Sequence, residues 1–418
     1  MSHRLCVACW AAWLITGAVL AQNQSGTSDG DGWTRFRGPQ GGGVSLATNI
    51  PITWSPNDYT WKTALPGRGH SSPVIWGDRV FIAAGDAATA KRMVLCLDTR
   101  QGSILWQRDY PSTTFRQNRD NSYASSTPAV DADHVYVYWT TADEITLLAL
   151  DHAGKEAWQR KLGPFTSQHG SGASPVVFQD LVVLNNEQEG QSSLIALDHQ
   201  SGTTRWQTER RTVRAAYSTP CVFQPENGPA ELVFTSTGHG ISSINPQNGR
   251  TNWEFTNAFP FRVVGSPVAA SGLIVATCGE GGIGRRLVAV RPGSADVAPR
   301  LIYEMKTAIP YVPTPLSRDG MLFLWSDNGL VTCHRVVTGE RVWQIKIPDS
   351  FYGSPVWINR HLYCMSKTGN LYVLAVSEKP EIVATIPLGE PSFATPAVAG
   401  GALFLRTESH LLAIGKGR

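Results

Sequence analysis

The chain is poor in charge for its 418 residues. Charged side chains make up 17% of the sequence, and 36 basic against 33 acidic residues leave a formal charge of only +3. A protein that coats nucleic acid needs a far larger positive excess, so nucleic acid is excluded as a partner. A disordered chain is excluded as well, because a hydrophobic content of 42% is ample for a large core.

The chain also lacks the patterns of common metal, disulfide and catalytic sites. After residue 21 it has no Cys-x-x-Cys, and the five remaining cysteines are widely spaced within apolar runs. His-Glu-x-x-His, Walker and EF-hand patterns do not occur. The sequence therefore predicts buried structural thiols and no metal site. No catalytic residue can be named and no cofactor is expected, which leaves enzymatic activity open.

The first 21 residues have the pattern of a secretion signal. Arg4 supplies a positive charge, residues 5–20 are mostly apolar, and small residues lead up to Ala21. A buried N-terminal helix or a membrane anchor is the alternative, but the apolar run is short for a span and polar residues follow it directly. We expect cleavage near Ala21, no transmembrane span thereafter, and a periplasmic or secreted location.

Glycine, proline and tryptophan are abundant, with 40, 26 and 14 residues. A Ser-Pro or Thr-Pro dipeptide with an apolar residue directly after it recurs eight times, and short runs of β-branched and aromatic residues follow each one. A unit of about 45 residues with four strands cannot bury both faces alone, so the units must pack on one another. The sequence predicts an all-β protein, an eight-bladed β-propeller of four-stranded antiparallel blades. The eight prolines are Pro73, Pro128, Pro175, Pro220, Pro267, Pro315, Pro355 and Pro396.

A turn with a following tryptophan recurs between the third and outer strands of the units. The aspartate can bond its own turn backbone, the glycine tolerates positive φ, and the tryptophan can bury its ring against the neighbouring blade. We expect packing, not cofactor stacking, from these rings. The residues assigned to this blade docking are Asp98, Gly102, Trp106, Trp158, Asp198, Gly202, Trp206, Gly249, Trp253, Gly339 and Trp343.

The eighth unit has no outer strand of its own, because the chain stops at Arg418. A surplus strand around Trp61 precedes Ser72-Pro73, the first of the eight repeated dipeptides, and we expect it to complete the last blade and close the ring. The outer strands of units five and seven lack the tryptophan. The predicted organisation is a signal peptide at 1–21, an N-terminal arm at 22–50 and the propeller at 51–418.

The A-x-D-x-x-x-G-x-x-x-W pattern, best kept at residues 196–206, resembles the repeat of quinoprotein (pyrroloquinoline-quinone-like) eight-bladed propellers. The bare single ring looks most like the BamB-type outer-membrane assembly factors and secreted propellers with this repeat. The WTRFRGPQGGG segment at 33–43 is similar to a lead-in of that secreted subgroup. The resemblance implies a scaffold that binds a protein or a ligand. A degenerate quinone-dependent oxidoreductase, alcohol or sugar dehydrogenase-like, is the alternative, although the adjacent cysteine pair of those dehydrogenases is missing.

Arginine and aromatic residues are concentrated in the loops expected on one face of the ring. This composition is typical of interfaces and of sites for carboxylate, phosphate or sugar ligands, and ordinary solvated loop charge is the other interpretation. The predicted binding face comprises Arg68, His70, Arg116, Arg119, Tyr123, His169, Arg210, Arg211, Arg214, Tyr217, Arg262, Arg285 and Tyr352. Arg286, Tyr311, Phe351 and Phe393 lie in the same loops.

The longest of these loops, residues 111–126, is the candidate specificity loop, since long loops in compact folds are often functional. The expected partner is another envelope or secreted protein, or an extracellular polymer.

Overall fold

The computed structural model describes residues 32–141, 143–294 and 296–415, and the predicted signal peptide lies outside them. In this part of the chain the only helix is one 3-10 turn, Pro56–Asp58, which the Ser55 side chain caps. No helix of the described residues has the length and apolar character needed to cross a membrane. Everything else is strand and connection, as the glycine, proline and β-branched content predicts.

The strands form eight sheets of four antiparallel strands, which we number as blades 1 to 8 from Ser72-Pro73 onward. The first, innermost strands of the blades are Val74–Trp76, Ala129–Val130, Val176–Phe178, Cys221–Phe223, Val268–Ala270, Leu316–Arg318, Val356–Ile358 and Ala397–Ala399. The second strands are Arg79–Gly85, His134–Thr140, Leu181–Asn186, Glu231–Ser236, Leu273–Glu280, Met321–Trp325, His361–Met365 and Ala402–Arg406.

The third strands are Arg92–Asp98, Ile145–Asp151, Ser192–Asp198, Gly240–Ile244, Ile283–Arg291, Leu330–Arg335, Asn370–Ala375 and His410–Gly415. The outer strands are Ile104–Tyr110, Glu156–Lys161, Thr204–Arg210, Thr251–Phe255, Arg300–Met305, Arg341–Lys346, Glu381–Pro387 and Trp61–Ala64. Second and third strands are buried on both faces, whereas the outer strands expose alternate residues. This difference follows from their position, because blades cover the middle strands on two sides and solvent reaches the outer one. The eight-bladed, all-β prediction is confirmed.

A closed circle of hydrogen bonds runs through the residues that precede the eight prolines. Serine and threonine alternate there, and each backbone N–H donates to the side-chain hydroxyl of the next blade at 3.0–3.2 Å. The Thr395 N–H donates to the Ser72 hydroxyl at 3.0 Å and completes the circle. The hydroxyl residues are Ser72, Thr127, Ser174, Thr219, Ser266, Thr314, Ser354 and Thr395. A small hydroxyl is therefore required at each position, because without it a buried N–H would lose its acceptor.

The ring closes between the two ends of the propeller. Trp61–Ala64 pairs antiparallel with His410–Gly415 and is the outer strand of blade 8. The arm is also part of the fold: Val44–Ser45 adds a parallel strand to blade 7 along Trp357 and Ile358, and Trp33 pairs with Ile75 of blade 1. The described part of the arm is thus paired with blades 1 and 7.

Tryptophans of four outer strands dock their blade on the next one. Their indole N–H groups donate to turn carbonyls of the following blade at 2.7–3.0 Å, in the pairs Trp61–Thr99, Trp106–His152, Trp158–His199 and Trp206–Pro246. Blade 5 uses Tyr303 instead, whose hydroxyl donates to the Val336 carbonyl at 2.8 Å. Trp253 of blade 4 departs from the pattern, since its N–H donates to Glu231 of its own blade at 3.0 Å.

Candidate functional site

A cavity of about 650 Å³ lies on the propeller axis. The eight hydroxyl residues line it, together with side chains from the loops between blades. Because each innermost strand starts at this circle and runs away from it, the cavity occupies the loop face of the ring. This is the face on which the arginine and aromatic residues were predicted.

The arm lies at the other end of the innermost strands. The Thr34 carbonyl accepts a hydrogen bond from Val130 of blade 2 at 2.8 Å, and the Gly43 carbonyl accepts one from Trp357 of blade 7 at 2.7 Å. Between these contacts Phe36 reaches the cavity lining. The arm therefore contributes to the floor of the cavity, and a ligand would enter from the loop face.

One wall of the cavity is an aromatic cluster. The His70 ring stacks on Phe393 with centroids 4.2 Å apart, and Tyr352 meets Phe393 edge-on at 5.9 Å. The Lys367 ammonium lies 4.2 Å from the Tyr352 ring centroid and 3.0 Å from the Asp120 carboxylate. Burial, followed by the charge of Arg406, lowers the pKa of His70 to about 3, so the imidazole is neutral.

Opposite this cluster lies Arg262, which is 8% exposed. Its guanidinium donates to Gln168 at 3.0 Å, lies 3.6 Å from the Glu189 carboxylate and sits 5.9 Å from the Tyr217 ring centroid. Tyr217 and Tyr311 line the cavity beside it. The wall thus offers aromatic faces and an arginine whose charge is already partly compensated.

Asp327 is the most unusual carboxyl of the cavity. It is 7% exposed, and it accepts backbone hydrogen bonds from Tyr311 at 2.6 Å and Val312 at 3.1 Å. Burial outweighs these bonds and raises the pKa of Asp327 to about 6. The carboxyl can therefore donate or accept a proton near neutral pH.

Titration of Asp327 should be visible in stability. The carboxyl is neutral in both states at low pH, and its ionisation is disfavoured in the fold. Wild-type stability should therefore fall by up to about 3 kcal/mol as pH rises from about 4 to 6. Asp327→Asn removes this slope, so the variant gains stability relative to wild type across that interval. Urea unfolding at several pH values measures it, with Asp319→Asn on an exposed hairpin as control. Parallel curves for wild type and Asp327→Asn would contradict the assignment.

The structure places six of the predicted face residues in the cavity lining: His70, Arg119, His169, Tyr217, Arg262 and Tyr352. The others do not line it: Arg68, Arg116, Tyr123, Arg210, Arg211, Arg214 and Arg285. Arg214 and Arg68 instead form surface ion pairs, with Glu280 at 2.8 Å and Glu408 at 3.3 Å.

Arg210 is a correction to the predicted face. Its side chain is 1% exposed and donates to Glu187 at 2.7 Å, to Glu254 at 2.9 Å and to Ser242 at 2.7 Å. Glu187 belongs to blade 3, whereas Ser242 and Glu254 belong to blade 4. Arg210 therefore joins two blades internally and offers no surface to a partner.

The loop at 111–126 reaches the cavity as expected of a specificity loop. Residues 118–121 and Ser125 line the cavity. Asp120 bonds Tyr352 at 3.2 Å and Lys367 at 3.0 Å, both of blade 7, and the Asn121 amide donates to the His169 carbonyl. The loop is thus anchored on blades 3 and 7 as well as on its own strands.

Sequence reasoning missed Asp120, Asp327, Lys367, Phe36 and the circle of hydroxyls. Asp327 and Lys367 lie in short hairpin turns, where a charged residue has the ordinary explanation of a solvated turn. A usable signal existed only for the hydroxyls: the strict alternation of serine and threonine before the eight prolines.

The fold and its axial cavity define an eight-bladed propeller of the pyrroloquinoline-quinone-repeat class. The chain belongs to the family described as outer membrane protein assembly factor BamB, whose model matches residues 48–125 and 90–345. No curated protein matches the sequence.

Solved structures share the fold at low sequence identity. BamB from Moraxella catarrhalis is 15% identical, with a TM-score of 0.61 over 88% of this chain and 97% of that one. A europium-containing methanol dehydrogenase is 13% identical, with a TM-score of 0.69 over 91% and 90%. Quinohemoprotein alcohol dehydrogenase from Comamonas testosteroni is 12% identical, with a TM-score of 0.68 over 93% and 81%. Likeness at these identities shows the fold alone.

Proposed function

We propose that this propeller is a binding protein that takes a neutral, hydroxyl-rich ring ligand of the saccharide class in its axial cavity. The observation that carries the proposal is the combination of two aromatic walls with a circle of hydroxyl groups around the cavity. Sugar rings stack on aromatic faces, and their hydroxyls need donors and acceptors close by. An extracellular polymer would present such units.

The charge balance of the cavity favours a neutral ligand over a polyanion. Lys367 is already paired with Asp120 at 3.0 Å, and Arg262 lies 3.6 Å from Glu189. Arg119 is 91% exposed and lies 3.9 Å from Asp120. Because these carboxylates compensate the cations, a phosphate or polycarboxylate would find little free positive charge.

A calcium-bound quinone does not fit the residues present. The five cysteines of the described chain are buried, and none is adjacent to another in sequence. No glutamate is among the described residues that line the cavity. The one group of three acidic and histidine side chains found in the described residues, Asp131, Asp133 and His199, does not line the cavity either. A redox step is therefore not part of the proposed function.

We also propose a periplasmic or secreted location. The name of the family model, an outer-membrane assembly factor, and the leader-like first 21 residues support it. Cell fractionation of a tagged full-length chain tests this, and recovery in the cytoplasmic fraction with an intact N-terminus would contradict it.

Tyr352 provides the test of the binding function. Tyr352→Ala removes an aromatic face and a hydroxyl that bonds Asp120, so affinity for a saccharide ligand should fall at least about tenfold. Tyr352→Phe keeps the ring and should lose less than the alanine variant. Titration calorimetry with ligands selected from a glycan array measures both, after thermal unfolding has shown that the variants fold.

Two results would overturn the proposal. The first is the absence of any saccharide that binds wild type. The second is stoichiometric binding of pyrroloquinoline quinone in the presence of calcium, with dye reduction by alcohols, which would favour the oxidoreductase alternative.

A further inference from the structure

Two arginines of the arm are buried almost completely. Arg35 is 3% exposed and Arg37 is 1% exposed. Within residues 32–141, 143–294 and 296–415, five of their six guanidinium nitrogens have no hydrogen-bond acceptor, namely all three of Arg35 and two of Arg37. The remaining nitrogen, Nη2 of Arg37, donates to the Gly42 carbonyl at 3.2 Å. A buried guanidinium without acceptors is strongly destabilising, so something must compensate Arg35.

Each of the other buried arginines has at least one acceptor from the chain itself, although Nε of Arg92 and Nε and Nη2 of Arg406 have none among the described residues. Arg92 donates to the Thr140 carbonyl at 2.9 Å and to the Tyr123 carbonyl. Arg406 donates to the Ser71 and Ala83 carbonyls at 2.9 and 2.7 Å. Arg35 differs from these residues and from Arg210, because none of its guanidinium nitrogens has an acceptor in the described part of the chain.

No internal counter-charge is available among the described residues. The titratable group that could act as a negative partner of Arg35 is the Cys221 thiol, and that of Arg37 is the Cys364 thiol. Burial raises the pKa of Cys221 to about 12 and that of Cys364 well above its usual value, so both thiols are neutral. Burial lowers the pKa of Arg35 to about 10 and that of Arg37 to about 9, so both guanidinium groups stay charged at neutral pH.

The glycines of the arm leave the guanidinium groups just enough room. A Cβ at Gly41 would lie 2.8 Å from Nη2 of Arg35, and one at Gly43 would lie 2.8 Å from Nη2 of Arg37. Both glycines have positive φ, at 68° and 71°. The glycine-rich stretch is therefore shaped around two charged groups that it does not neutralise.

We propose that Arg35 holds a small inorganic anion, chloride or a small oxyanion such as phosphate, buried in the arm. Its unpaired nitrogens provide the donors, and Arg37 adds a second positive charge to the same segment. Guanidinium groups bind such anions by charge-assisted hydrogen bonds. The anion is a structural ligand of the arm, separate from the saccharide proposed for the axial cavity.

Anion-dependent unfolding tests the site. The purified chain is dialysed into a low-salt zwitterionic buffer, and its unfolding is followed while sodium chloride or sodium phosphate is added. Sodium gluconate at equal ionic strength is the reference, since gluconate is too large for a buried site. Above the dissociation constant, the unfolding equilibrium constant should fall about tenfold for each tenfold rise in the free concentration of the anion that binds. Identical curves for the three salts would overturn the proposal.

Variants separate the site from general salt effects. Arg35→Gln should lose the anion-specific stabilisation, whereas Arg300→Gln, which removes an exposed arginine of an outer strand, should keep it. Asp29 and Asp31 belong to the part of the arm outside the described residues, and an Asp29→Asn/Asp31→Asn variant should also keep the anion-specific stabilisation. If that variant were destabilised and wild type showed no anion dependence, the counter-ion would be internal and the proposal wrong. Bromide soaked into crystals gives an independent readout, with anomalous density expected at the Arg35 guanidinium.

Discussion

Replacing Arg210 by alanine should destabilise the protein by about 3–5 kcal/mol, the usual effect of removing one partner from a buried ion pair. The change leaves Glu187, which is 1% exposed, without its cation, and it removes the link from blade 3 to Ser242 and Glu254 of blade 4. Denaturant unfolding measures the loss. Arg211→Ala is the matched control. The Arg211 side chain is exposed, so its removal should change the free energy of unfolding by less than about 0.5 kcal/mol.

The same variant should alter the response to acid. Burial alone would raise the pKa of Glu254, but the hydrogen bond with His239 and the charge of Arg210 hold it at about 2. A lowered carboxyl pKa stabilises the fold above about pH 4.5, and this contribution is lost as pH falls towards 2. Arg210→Ala should weaken this acid dependence. Equal stability of both variants, or an unchanged acid profile in Arg210→Ala, would show that the network contributes little.

Replacing Gly202 by alanine should cost about 2–4 kcal/mol. The residue has φ at +67°, and an added Cβ would lie 2.6 Å from the ring of Trp158, which docks blade 2 on blade 3. The left-handed backbone accounts for about 1–2 kcal/mol, and displacement of the indole adds the rest. Thermal or denaturant unfolding gives the difference.

Gly320→Ala isolates the steric part of that effect. Gly320 has φ at +73°, but no atom lies within 4 Å of its ideal Cβ. It should therefore lose only the backbone contribution of about 1–2 kcal/mol. Equal losses of stability in the Gly202 and Gly320 variants would mean that the Trp158 ring moves aside at no cost. Docking of blade 2 on blade 3 would then not require a glycine at position 202.

Local repetition explains how much of the architecture could be predicted. Each Ser/Thr-Pro dipeptide and each turn before a tryptophan is encoded within a few residues, so the blades and their number follow from the printed sequence. The docking geometry was accessible for the same reason. Trp253 differs from the other docking tryptophans, since its indole N–H donates to Glu231 of its own blade. The next blade, blade 5, joins its third and outer strands by a longer connection than the repeated turn.

The candidate site was less accessible, because the sequence cannot tell a paired charge from a free one. In the sequence, Arg210 and Arg262 look like exposed binding arginines, because both lie in loops rich in arginine and aromatic residues. In the structure, Arg210 is enclosed by two blades, and the charge of Arg262 is partly compensated by Glu189. Asp327 is a turn residue by pattern, and only its burial next to the backbone of Tyr311 makes it distinctive.

An eightfold repeat explains the high glycine, proline and tryptophan content of this chain. Sequence alone determined that repeat, the class of fold and the face that carries the loops. Only the tertiary structure decided which side chains meet at the axis. Closing the ring brings Thr395 to Ser72 and Asp120 to Lys367, residues that are hundreds of positions apart. Burial then decides which charges are compensated within the fold and which, like that of Arg35, still need a ligand.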